Sequence, residues 1–152
     1  MRQYLFRGIR VDNGEWVEGL PYEVDGVIDR IRVKEQIEDI IFYTTYPVIP
    51  ETVSEYIGIN DQYGNKIWEN SIIRTQEYSD RPYSKNRKFK QHIGVVKHIT
   101  RHFKNKYHEC DYEAKWIVDI KDYEGYHCYD WSEFFLCEVI GNVFENSELL
   151  EG

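Results

Sequence analysis

His98, His102, His108 and Cys110 fall within thirteen residues and are of types that ligate zinc. HITRH has the i, i+4 spacing that sets two imidazoles on one face of a helix. It sits, however, in IGVVKHITRHF, whose alternation predicts a strand, where positions four apart lie ~13 Å from each other. No second CxxC or HxxxH pair completes a four-ligand set, so the histidines read as structural or loop residues. No metal or other cofactor is expected.

Other arrangements are equally incomplete. Cys128 adjoins His127, but neighbours on a strand point to opposite faces and cannot act as a thiol–imidazole pair. Asp119, Asp122, Glu124 and Asp130 could gather round a divalent cation, yet DYEGYHCYD lacks the glycine and carboxylate spacing of a calcium loop. Asp61 and Glu69 have no partner at a fixed interval. GxxxxGK[ST], GxGxxG and GxSxG are all missing, which leaves phosphate cradles and serine nucleophiles without support. No catalytic residue is expected.

Charge is the lopsided feature. Arg81 to Lys106 holds nine Lys or Arg and no acid, while the rest of the chain carries ten basic residues against 27 acidic. Tyr83, Phe89, Phe103 and Tyr107 lie among these cations. A basic track with interleaved aromatics is how sequence-tolerant single-strand binders work. Arg81, Lys85, Arg87, Lys88, Lys90, Lys97, Arg101 and Lys104 are therefore the candidate nucleic-acid contacts. Against this, a basic loop is commonly a solvated face or docks on another acidic subunit, and the net charge is −8.

The elements that must position these residues are mostly strands. Aromatics make up 16% of the 152 residues and alanine occurs once, at Ala114, a composition that suits pleated surfaces. Asn13-Gly14 and Asp25-Gly26 predict hairpin turns joining MRQYLFRGIRV, WVEGLPYEV and VIDRIRV. KEQIEDIIFYTTY is ambiguous: Glu35 to Ile41 could form two helical turns, and IIFYTTY reads as strand. Residues 79–91 read as a long exposed loop, followed by strands in IGVVKHITRHF, AKWIVDI and EVIGNVF. Glu133 to Cys137 is a candidate helical turn, and ENSELLEG a terminal one. Trp16, Trp68, Trp116 and Trp131 lie in apolar-patterned segments and are expected in the core.

In YIGINDQYGNKIWENSIIR, Asp61 and Gly64 occupy the ends of a predicted type I turn, Gly64 in the left-handed region. The Asp61 carboxylate would accept nearby backbone N–H groups. Asn70 supports a second tight bend, as one of the few non-glycine residues that tolerates positive φ.

The segment PETVSEYIGINDQYGNKIWENSII resembles the signature of the YopX family of phage and prophage proteins. Its members carry a PETV–YTG–DKNG–I–EGD–I pattern here. LFRGIRVDNGEWVEG is similar to the family's N-terminal strand pair, and CEVIGNVFENSELLE to its VIGN strand and ENPELL tail. The usual EGD is ENS in this chain, at Glu69, Asn70 and Ser71, which argues that the motif is not an indispensable acid. The resemblance implies a compact, mainly β fold, phage or prophage origin, and no established enzymatic activity.

One domain, 1–152, is expected, with possible subdomains 1–50 and 51–152. The N-terminal part would be a hairpin region, the C-terminal part a small β-barrel, with one or two short helical turns. Three cysteines without a pairing pattern fit a reducing setting. With no signal peptide or ~20-residue apolar run, the protein is expected to be soluble in the bacterial host cytoplasm and not a membrane protein. The leading functional reading is a non-enzymatic accessory protein that binds a protein partner or itself as a homo-oligomer. The alternative is nucleic-acid binding through residues 81–106, and the third a metal-dependent hydrolase.

Overall fold

The computed structural model describes residues 4–77, 90–104, 110–120 and 136–151. The chain divides into two compact units, Met1–Gly58 and Ile59–Gly152. Both are built of antiparallel strands, as the aromatic-rich and alanine-poor composition implied.

In the first unit, β1 (Phe6–Ile9), β2 (Trp16–Val24), β3 (Val27–Ile37) and β4 (Ile40–Pro47) follow one another. A 3₁₀ turn at Pro50–Thr52 leads to β5 (Ser54–Asn60), and the sheet order is β4-β3-β2-β1-β5. The expected turns are in place. Gly14 has φ +73°, while Asp25 and Gly26 both lie at positive φ, 52° and 80°. That pair makes a primed two-residue turn, whose twist matches the flanking strands. The possible helix over Glu35 to Ile41 is not formed. β3 runs on to Ile37, and Glu38, at φ 53°, reverses the chain into β4. Eight registered pairs, from Arg30↔Pro47 to Ile37↔Ile40, outweigh two turns of helix whose second half is β-branched.

β2 changes partners half-way. Trp16 to Gly19 pair with β1, and Leu20 to Val24 pair with β3. Gly19 sits at the switch, where an added Cβ would collide with the Arg32 carbonyl oxygen. Behind the sheet, Ile31, Val48 and Ile57 are buried. The segment leading into β5 is fastened by Val48 N–H donating to the Asp29 carbonyl at 2.9 Å and Ile49 N–H to that of Ile9 at 2.8 Å.

The second unit holds β6 (Lys66–Trp68), β7 (Ser71–Glu77), β8 (Lys90–Lys104), β9 (Cys110–Ile120) and β10 (Glu138–Asn142), then a 3₁₀ turn at Ser147–Leu150. β6 is hydrogen-bonded to β5, and the other four form a sheet in the order β10-β7-β8-β9. The expected C-terminal barrel is not borne out. β9 and β10 stand at opposite edges, and among the described residues no pairing closes the sheet. The adjacent pairs Ile72-Ile73, Val95-Val96 and Ile117-Val118 are all buried. Consecutive strand residues face opposite ways, so this sheet is covered on both sides at its middle.

Of the tryptophans expected in the core, Trp68 is buried, while Trp16 and Trp116 are half-buried. The Arg7 guanidinium lies 4.3 Å from the Trp16 ring centre. Trp131, Cys128 with His127, and His108 fall outside the described residues, as does most of the expected loop over 79–91 and helical turn over 133–137.

Candidate functional site

Asp61 is a buried carboxylate at the start of the turn that ends at Gly64. Its Oδ1 accepts the N–H groups of Tyr63 at 2.9 Å and Asn65 at 2.8 Å. Its Oδ2 accepts Asn65 Nδ2 at 3.1 Å and the N–H of Val139 at 2.9 Å. Burial works to raise its pKa, but these donors outweigh it and leave the group below the ordinary aspartate value. A carboxylate with both oxygens occupied and a lowered pKa is a clamp, not a proton donor. The expected turn is confirmed by Gly64 N–H donating to the Asp61 carbonyl at 3.1 Å, with Gly64 at φ +83°.

The second bend is explained in the same terms. Asn70 has φ 64°, its N–H donates to the Val96 carbonyl at 2.8 Å, and its carbonyl accepts Val143 N–H at 3.1 Å. Ser71 is fully buried, and its Oγ accepts the Trp68 N–H at 3.1 Å. An aspartate oxygen in that place would accept the same N–H, so serine keeps the bend without the charge. Replacing Asn70 by Gly is expected to leave stability within about 0.5 kcal/mol, and Asn70→Val to lower it by about 1–2 kcal/mol. Urea unfolding of the two variants checks this.

A second carboxylate that sequence reasoning did not single out is Glu35. Thr44 Oγ1 donates to it at 2.5 Å and Tyr46 Oη at 2.7 Å, while the Arg10 guanidinium lies 4.2 Å from the Tyr46 ring centre. The Thr44 bond first, and then that of Tyr46, hold Glu35 below the usual carboxylate range. The network ties β3 to β4 and leaves Glu35 as an acceptor only.

The predicted basic contacts are placed as follows. Arg81, Lys85, Arg87 and Lys88 lie outside the described residues. Lys90, Arg101 and Lys104 stand on β8 opposite Glu77, Glu113 and Cys110 in the ladder. Lys97 is exposed, and its Nζ is 2.6 Å from Asp119 Oδ2 on β9. Three of the four described positions on β8 thus have an acid opposite or diagonal to them. His98 stacks edge-on against its cross-strand partner Trp116, with ring centres 5.0 Å apart. Among the described residues no group of three or more His, Cys, Asp or Glu could hold a metal ion.

The surface that stands out is one face of β2, β3 and β4. Arg30, Arg32 and Lys34 alternate along β3 with Ile31 and Val33, so all three point to one side, and all are exposed. The register sets Tyr22 opposite Arg30, Leu20 opposite Arg32 and Tyr43 opposite Lys34. Tyr22 is 49% exposed and Tyr43 54%. The Arg32 guanidinium lies 4.4 Å from the Tyr43 ring centre, and that of Arg30 lies 5.9 Å from Tyr22. Sequence reading identified VIDRIRV as a strand but passed over its outward row. The available signal was the strict alternation of cation and aliphatic residue.

These features define a mainly β protein of two antiparallel sheets with tight, hydrogen-bonded turns. The family described as YopX protein matches residues 5–151, nearly the whole chain, and this chain belongs to that family. The fold is similar to that in the crystal structure of protein EF1440 from Enterococcus faecalis. That likeness has a TM-score of 0.51 at 17% identity and covers 99% of each chain. No curated protein matches the sequence. Membership points to a phage-type protein, and neither description names a reaction. Among the described residues, no helix is long and apolar enough to cross a membrane.

Proposed function

We propose that this phage-type protein acts by binding another macromolecule rather than by catalysis, and that the exposed face of β2, β3 and β4 is its binding surface. One observation carries the reading. Leu20, Tyr22, Ile41 and Tyr43 remain about half exposed on a single sheet face, beside a row of three cations. Contiguous apolar and aromatic surface of this kind marks interaction sites. The turn carboxylate Asp61 and the strand carboxylate Glu35 both have their oxygens engaged, which supports a non-enzymatic role. The basic segment 81–106 is a second candidate surface, supported by its nine cations without an acid.

Leu20→Ser, Ile41→Ser and Tyr43→Ser combined should leave the fold intact by circular dichroism, since all three side chains are exposed. Sedimentation of wild type and variant, alone and in host extract with or without nuclease, reads the outcome. The triple variant is expected to lose every association that the wild type shows. Associations that persist unchanged in a folded variant reject this face.

A further inference from the structure

We propose that the β2–β3–β4 face binds single-stranded nucleic acid with little sequence preference; this rests on the binding reading above and names its ligand. Arg30, Arg32 and Lys34 are spaced two residues apart on β3, giving steps of roughly 7 Å along an extended strand. They form a linear track of positive charge on a protein of net charge −8. Arg30 Nε lies 3.8 Å from Asp29 Oδ1, and the row as a whole is exposed to solvent, where its charge attracts a polyanion.

The aromatic residues make the ligand more specific. Tyr22 on β2 and Tyr43 on β4 flank the track from opposite sides, and each has a guanidinium over or beside its ring. Bases stack on tyrosine rings and equally on arginine planes, and neither surface distinguishes one base from another. A duplex keeps its bases stacked internally and offers these rings nothing to receive, so an unpaired strand is the better match. A second copy of this chain is disfavoured on geometric grounds. A two-fold contact through this face would set the row of Arg30, Arg32 and Lys34 against its own image.

The probe is a fluorescein-labelled oligothymidylate of about 16 nucleotides, read by anisotropy with the full chain. Binding is expected at low salt and should weaken about 20-fold between roughly 50 and 200 mM salt, as three neutralised phosphates require. Arg32→Gln should flatten the salt slope by about 0.7. Tyr43→Leu should weaken binding about tenfold at an unchanged slope, because stacking is lost and charge is not. The competing surface is tested by Lys85→Glu with Lys88→Glu. If that variant abolishes binding while Arg32→Gln and Tyr43→Leu do not alter it, the site lies elsewhere and the proposal is overturned. Absence of salt-sensitive binding by the folded wild type overturns it too. In that event a solution mass above the monomer, lowered by Tyr43→Ser, would keep the binding face and assign it to a second copy. A mass unchanged by Tyr43→Ser would remove the face itself.

Discussion

Replacing Asp61 by alanine is expected to cost about 3 kcal/mol of stability, read as a lowered urea midpoint. The carboxylate takes three backbone N–H groups and one side-chain amide, and alanine leaves the buried ones without an acceptor. Asn is no remedy, because its amide presents N–H groups to donors on one side. Hydrogen exchange by peptide should show the loss in the turn at 61–65 and in β10, which Val139 anchors. The wild type should also show acid sensitivity. Because the folded-state pKa lies below the unfolded one, the contribution is complete at neutral pH and vanishes as pH falls through the folded value. The Asp61→Ala variant should lack that part of the acid transition. An unchanged acid profile in the variant would count against the clamp.

Gly19→Ala is expected to cost about 2–3 kcal/mol, and Gly19→Val more. The new Cβ meets the Arg32 carbonyl oxygen, with Ile31 Cγ2 a further 3.1 Å contact, and backbone cannot step aside as a flexible side chain would. To accommodate it, β2 and β3 must separate where Leu20 faces Arg32. The variant should therefore show faster exchange in β2 and β3 and, at temperatures where it is still folded, weaker ligand binding. The two readouts belong together, since the same strand spacing holds Tyr22 beside Arg30. Normal stability in Gly19→Ala would mean that β2 can shift at no cost.

What could be read from the residues is divided by range. The turns at Asn13-Gly14, Asp25-Gly26, Asp61 to Gly64 and Asn70 were legible because their chemistry is contained in a few adjacent residues. The turn at Glu38-Asp39 was not, since glutamate has no preference for positive φ and the hairpin is held by its long ladder. The extra residue in β3 between its partners at Tyr22 and Glu23 left no local trace either. That bulge decides what stands opposite Tyr22, and so the contact of its ring with Arg30. The alternation of Arg30, Arg32 and Lys34 was visible in the sequence. What made it a candidate site was the arrival of Tyr22 and Tyr43 from neighbouring strands, which only the pairing register reveals. Among the described residues the expected barrel is not closed for a related reason: closure depends on which edge a strand joins, and β10 pairs with β7.

The placement of β10 has a consequence for synthesis. β7 pairs with β8 on one side and with β10 on the other, yet β10 begins 60 or more residues later in the chain. Until residues 138–142 leave the ribosome, β7 offers an open edge beside Ile72 and Ile73, and Asp61 lacks its bond from Val139. An open apolar edge is a template for pairing with other chains. A nascent or prematurely ended chain therefore presents a sticky strand that the finished protein conceals, and the final stretch serves as its cover.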